Sequence, residues 1–287
     1  MRVAITGSNG LIGGALAESL EGDRHEVVRV RRSSAGLDLS GIDSVDAVVN
    51  LAGAGIGDKR WTGERKRLVI ESRTKTTAAL ANAIAAAPAA RRPRVLLSGS
   101  AIGYYGDRGD EMLTEESGPG HLFLSELCLA WEAAAVPVVA AGVRLAHLRT
   151  GIVLAPKGGA LGKMLPLFKF GLGGRMGSGK QWWSWVSLED EVRAIRFLLD
   201  NDVDGPVNLT GPEPVTNAAL TSALGKVLHR PTLLPVPKFG PALLLGRELA
   251  HELLYAGQRV VPRVLEREGF SFTHGDVESA LHDMLGR

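Results

Sequence analysis

Gly7, Gly10 and Gly13 stand at three-residue intervals directly after an apolar run, Arg2 to Thr6, and directly before Ala15-Leu16-Ala17-x-x-Leu20. That order reads as strand, turn, helix. On such a corner Gly7 lets the chain turn tightly, Gly10 lets backbone approach a pyrophosphate, and Gly13 lets the helix lie close on the strand. The helix start adds unpaired N–H groups and a positive dipole end. About twenty residues on, where an acidic side chain would hold an unphosphorylated ribose, the chain reads Arg31-Arg32-Ser33-Ser34. Two guanidinium groups there match a 2′-phosphate through bidentate, charge-assisted bonds. A solvated basic loop is the competing reading, and the position favours the phosphate. Ser100 ends a strand-like run, Arg94 to Ser100, and Tyr105 follows it. Both fit acid/base or orienting work, but a serine bonded to a carbonyl and a tyrosine filling a loop explain the pattern equally well.

The elements that must position these groups alternate along the chain. Glu26–Val30, Asp46–Gly53, Arg94–Ser100, Val143–Arg149 and Gly205–Thr210 read as strands. Trp61–Ala87, Leu122–Ala135 and Leu188–Leu199 read as helices. Alternation of this kind predicts an α/β fold, a Rossmann-type doubly wound parallel sheet with right-handed crossovers, joined to a smaller, mostly helical substrate-side domain. The expected division is 1–155 plus 186–211 for the sheet domain and 156–185 plus 212–287 for the smaller one. Arg73 lies inside the long helix, and periodicity does not say whether it turns inward. Residues 156–180 are glycine-rich and basic, with Lys163, Lys169, Arg175 and Lys180, and read as a flexible segment able to fold over a polar ligand. Trp182, Trp183 and Trp185 fit ligand stacking or packing at a domain seam.

The 287 residues carry 33 Lys and Arg against 31 Asp and Glu, a balance that argues against a nucleic-acid partner. Cys128 is the only cysteine, so no intrachain disulfide forms and a reducing compartment is expected. With no signal-peptide pattern and no apolar run read as long enough to span a bilayer, the cytoplasm is the expected address, without a membrane partner. No metal site is expected, because the seven histidines are scattered. A homodimer is left open.

These residues together resemble the extended short-chain dehydrogenase/reductase superfamily, and within it an uncharacterised, NADP-binding, sugar-nucleotide-epimerase-like family with a small C-terminal domain. The similarity rests on the glycine turn, Asn50-Leu51-Ala52-Gly53, Ser72-Arg73, Trp131-Glu132, Arg149 to Leu154, Gly171 to Gln181, Pro235-Val236-Pro237, Gly257 to Pro262 and Gly269-Phe270-x-Phe272. The resemblance implies NADP(H) against Gly7 to Gly13 (Asn9, Leu11 and Ile12 included), Arg31, Arg32, Leu51, Ala52, Gly53, Arg73 and Val153. It also implies a catalytic role for Ser100. Two departures stand out. Counted back from Glu132, the slots of the superfamily's Tyr-x-x-x-Lys hold Leu124 and Cys128, and the histidine of a Trp-Ile-His-x-x-Asp motif is Ser187. An NADP(H)-dependent epimerase or oxidoreductase for an unknown polar small molecule, with a nucleotide sugar among the candidates, then needs a substitute acid. Tyr105 is the expected substitute, its pKa lowered by Lys180 or Arg175. The alternative is an NADP(H) sensor or regulatory protein with little or no turnover.

Overall fold

The computed structural model describes residues 1–33 and 36–286; Ser34, read with the basic loop, lies outside them. Six strands form one parallel sheet: β1 (Arg2–Thr6), β2 (Glu26–Val30), β3 (Ala47–Asn50), β4 (Val95–Ala101), β5 (Arg144–Thr150) and β6 (Gly205–Leu209). Their order is β6-β5-β4-β3-β1-β2, so the direction of winding reverses between β1 and β3. Ala4 sits opposite both Val28 and Val48 across that point. A crevice opens beyond the carboxyl ends of β1 and β3, where ligands of open α/β sheets bind.

Because successive side chains point to opposite faces, each strand feeds two cores. Val3, Ile5, Val49, Leu97 and Leu148 pack against Leu16 and Leu20 of helix α1 (Leu11–Gly22) and Ile195 and Leu198 of α5 (Leu188–Asp200). Ala4, Val48, Leu96 and Leu145 pack against Leu80 and Ile84 of α2 (Gly63–Ala86). Helix α3 (Phe123–Ala133) buries Leu124 and Leu127 against Val69. The expected doubly wound sheet is therefore present.

The segment read as a flexible glycine-rich loop contains a helix, α4 (Gly159–Lys169). Leu161, Leu165 and Phe168 recur at helical spacing, and burying them outweighs the helix-weakening Gly162 and Pro166. They join a second core with Trp183, Trp185, Leu220 and Leu224 of α6 (Asn217–Leu228), and Leu281 of α7 (Val277–Leu285). Trp183 and Trp185 are thus packing residues, and the Trp185 indole N–H donates to the Glu213 carbonyl at 2.9 Å. The C-terminal stretch is not confined to this second core, because Val264, Leu265 and Phe270 pack into the first one beside α5.

Phe123–Ala140 is, by length and composition, apolar enough to cross a bilayer, which the sequence reading did not recognise. The helix ends at Ala133 before a short turn at Pro137–Ala140, and Leu124, Leu127, Cys128 and Trp131 point inward. It is a core element with an apolar composition.

Candidate functional site

The glycine corner is built by contact. Gly7 has φ +70°, and a Cβ on it would lie 2.7 Å from the Leu51 carbonyl oxygen, so the β1 turn and the β3 loop touch there. A Cβ on Gly13 would lie 2.3 Å from the Gly7 oxygen, which seats α1 directly on the turn. Gly10 caps α1 with no side-chain hydrogen bond, so the first-turn N–H groups of Leu11, Ile12 and Gly13 face forward without an intrahelical acceptor. Thr6 locks the facing loop. Its hydroxyl donates to Asn50 Oδ1 at 2.6 Å and accepts from the Leu51 and Ala52 amides at 3.1 and 3.2 Å. Asn50 continues the chain to Thr77 Oγ1, which also takes the Trp131 indole N–H. Sequence reasoning missed Thr6 and Thr77 as positioning residues; their polar side chains at otherwise apolar element positions were the available signal.

A cleft of about 650 Å³ opens in front of this corner. Gly7, Asn9, Arg31, Arg32, Ala52 and Gly53 all line it, with Arg29 beside them and no acidic side chain. Arg29 is already paired with Glu21. Arg31 is exposed at the rim, and Arg32 donates to Thr76 Oγ1 at 2.7 Å. Open backbone at a helix start and a purely cationic rim fit a dinucleotide with a phosphorylated ribose. Leu11 and Val153 both approach the Gly158–Gly159 turn, since Cβ atoms on Gly158 and Gly159 would lie 3.0 Å from Leu11 Cδ1 and 2.9 Å from the Val153 oxygen. Arg73 lies beneath the cleft floor. It is buried against Gly53, donates to the Ala54 and Val69 carbonyls, and stacks over the Trp131 ring at 4.9 Å. Burial lowers its pKa to about 10. Its visible work is to hold the β3 loop. Replacing Arg31 by Asp together with Arg32 by Ala will weaken NADPH binding on the order of a hundredfold and NADH binding far less; equal losses in fluorescence titrations would contradict a 2′-phosphate contact.

Beyond β4 and β5 lies a buried polar network. Ser100 Oγ donates to Glu132 Oε1 at 2.6 Å, and Arg149 grips both Glu132 oxygens at 2.9 and 3.0 Å. Arg149 also donates to the Tyr105 hydroxyl at 3.0 Å, and that hydroxyl donates to Asn208 Oδ1 at 2.7 Å. Burial opposes the charge on Arg149, but its bonds to Glu132 and the nearby Tyr105 outweigh that and raise its pKa. Tyr105 is corrected as the substitute acid. Its side chain is fully buried, its hydroxyl is committed at both ends, and burial pushes its pKa up to about 12 instead of down. Lys180 lines a different, polar hollow with Lys238, Asp110 and Tyr255, and Tyr105 is not part of that lining.

The superfamily's tyrosine and lysine slots open on a cavity of about 150 Å³. Leu124, Cys128, Ile102, Trp131, Ile152 and Trp183 give it apolar walls, and Thr150, Glu252 and Gln258 are its polar lining. Burial pushes the Cys128 thiol up to about 12, so it stays a neutral thiol. Ser187, where the motif has its histidine, has a histidine beside it. Ser187 caps α5 through the Asp190 amide, and His274 Nδ1 lies 2.9 Å from the Ser187 hydroxyl while its amide donates to Asp190. The ligand atoms of Glu189, His274 and Asp283 lie within 4.8 Å of one another, but both ring nitrogens of His274 already have partners in Ser187 and Asp283.

Glu191 of α5 is fully buried, accepts from Thr150 Oγ1 at 2.8 Å and leaves Oε2 without a partner. Burial raises its pKa to about 8, with the Thr150 bond opposing. The folded state therefore holds a proton that the unfolded chain releases near pH 4.5, and stability falls as pH rises from there through about 8. Glu191→Gln will flatten that decline in urea melts between pH 5 and pH 9; an unchanged slope would show the carboxyl titrating normally.

The comparisons with known proteins agree with this geometry. The NAD dependent epimerase/dehydratase family matches residues 3–210, and a domain of unknown function (DUF1731) matches residues 236–284. An epimerase family protein of Mycobacterium leprae is 45% identical over 97% of this chain and 94% of its own length. The crystal structure of human epimerase family protein SDR39U1 (isoform 2), solved with NADPH, is 33% identical and superposes with a TM-score of 0.92 over the full length of both chains. UDP-glucose 4-epimerase of Thermus thermophilus, at 19% identity and a TM-score of 0.74, shares the fold. With a six-stranded sheet, a glycine corner at its switch point and relatives matched along nearly its whole length, this chain belongs to the NAD dependent epimerase/dehydratase family, in the branch that carries the DUF1731 domain at its C-terminal end.

Proposed function

We propose that this chain binds NADP(H) in the cationic cleft and works as a coenzyme sensor or regulatory protein with little or no carbonyl turnover. The observation that carries this reading is the mostly apolar cavity at Leu124 and Cys128, whose one carboxylate, Glu252, is held by the Phe123 and Leu124 amides. Where the superfamily sets a tyrosine to protonate a substrate oxygen and a lysine to hold the coenzyme ribose, this chain offers a leucine side chain and a neutral buried thiol. NADP(H), when bound, supplies hydride chemistry. The chain's own residues bind and orient it: first-turn N–H groups toward the pyrophosphate, Arg31 and Arg32 toward the 2′-phosphate. The NADPH in the human relative supports the choice of coenzyme.

A second reading keeps turnover. Ser100, its single O–H turned away from Glu132, would donate to a carbonyl oxygen of a polar substrate. The purified protein, loaded with NADPH, is challenged with carbonyl compounds and nucleotide sugars while fluorescence and products are followed. Saturable NADPH binding without oxidation or epimerised product is the expected result. Turnover abolished by Ser100→Ala would replace the first reading with the second.

A further inference from the structure

The chain's charge balance conceals a strongly asymmetric surface. Residues 156–188 and 214–247 together hold nine Lys and Arg and not one Asp or Glu, so the remainder carries 24 basic against 31 acidic residues. All nine of these cationic side chains are exposed, and two of them meet acidic residues from elsewhere in the chain, Lys226 with Glu278 and Lys163 with Asp58. Eight of the thirteen large exposed hydrophobic residues found among the described residues lie in the same two segments. Phe170, Leu233, Leu234, Phe239 and Leu244 are each more than 70% exposed, and Leu172 is nearly so.

The two segments run side by side. Arg230 Nε donates to the Lys169 carbonyl, the Val236 amide donates to the Arg175 carbonyl, and the Gly177 amide donates back to Val236. The short helix Phe239–Leu245 follows at once and buries none of its residues. Water-facing leucine and phenylalanine side chains at this density mark an interaction surface, and the cations around them specify the partner's charge. A second copy of this face would bring the seven cations not held by Glu278 or Asp58 against seven more, which disfavours self-association. The apolar side chains also stand out from turns and a short helix instead of lining a groove.

We propose that this face docks on an anionic lipid bilayer, with Leu233, Leu234, Phe170 and Phe239 entering the headgroup–acyl boundary and the surrounding lysines and arginines meeting lipid phosphates. Apolar insertion supported by a basic ring is the chemistry of interfacial binding. It departs from the sequence expectation of no membrane partner, which considered only spanning segments.

Flotation with vesicles of phosphatidylcholine alone, or with about 30% phosphatidylglycerol, tests the proposal on the full chain. The wild type floats with the anionic vesicles, and raised salt releases it. Leu233→Glu with Leu234→Glu, and separately Lys169→Glu with Arg175→Glu, each reduce the bound fraction about tenfold or more. Val136→Glu with Val139→Glu, exposed apolar positions elsewhere, leaves binding unchanged. NADPH titration and circular dichroism show each variant folded. No flotation, equal flotation with both vesicle types, or equal loss in the Val136/Val139 control overturns the proposal. So does a dimer in sedimentation that the Leu233/Leu234 variant dissolves, or capture by polyglutamate without vesicle binding.

Discussion

Glu132→Ala will lower the stability of the fold by about 3–5 kcal/mol, read as a fall in the urea midpoint at unchanged slope. Arg149 has a side chain only 4% exposed, and Glu132 is its bidentate partner. Removing the carboxylate leaves a buried guanidinium with a neutral tyrosine as its remaining polar side-chain partner, and Ser100 loses its acceptor. The pair itself is worth much less than its breaking costs, because burying two charges offsets most of their attraction. Glu132→Met combined with Arg149→Met is therefore expected to be less damaging than Glu132→Ala alone. If the double variant proves additive with the two single ones, the coupling assigned to this pair is absent.

Gly13→Ala will weaken NADPH binding by at least about tenfold, while Gly14→Ala, one residue on, will leave it almost unchanged. The contrast is geometric. A methyl at Gly13 would sit 2.3 Å from the Gly7 oxygen and 3.1 Å from Ser8 Cα, so α1 must lift from the turn that points its N–H groups at the phosphates. A methyl at Gly14 would meet nothing closer than the Ser8 oxygen at 3.6 Å, an ordinary contact. Within a helix that change stabilises by roughly 0.5–1 kcal/mol. Calorimetric titration of both variants checks this, and equal losses would remove the close seating of α1 as the reason for Gly13.

What the sequence revealed and what it hid follow from the range of the interactions. The glycine corner, the Arg31–Arg32 rim and the long α2 were legible because each is set by neighbours a few residues away: a turn, a strand end, a helical period. Tyr105 was misread because its partners come from far along the chain, Arg149 and Asn208. Nothing near Tyr105 in sequence shows that the hydroxyl is tied on both sides and sealed from the cleft. Helix α4 was hidden by its glycines, which argue locally for a loop, while the packing of Leu161, Leu165 and Phe168 on α6 and the tryptophans decides otherwise. Ser187 looked like a lost histidine until the fold brought His274 to it from 87 positions away. The loss of Tyr-x-x-x-Lys, by contrast, was readable from Leu124 and Cys128 alone, and the structure adds the mostly apolar cavity that those residues leave.

The glycine corner and its arginine rim together imply a preference for the phosphorylated coenzyme. Parallel calorimetric titrations of the unmodified protein with NADPH and NADH, at near-neutral pH and low salt, measure it directly. One NADPH per chain, bound at least tenfold more tightly than NADH, is the predicted result. No association with either coenzyme, or equal affinity for both, would contradict the assignment of the glycine corner and its arginine rim.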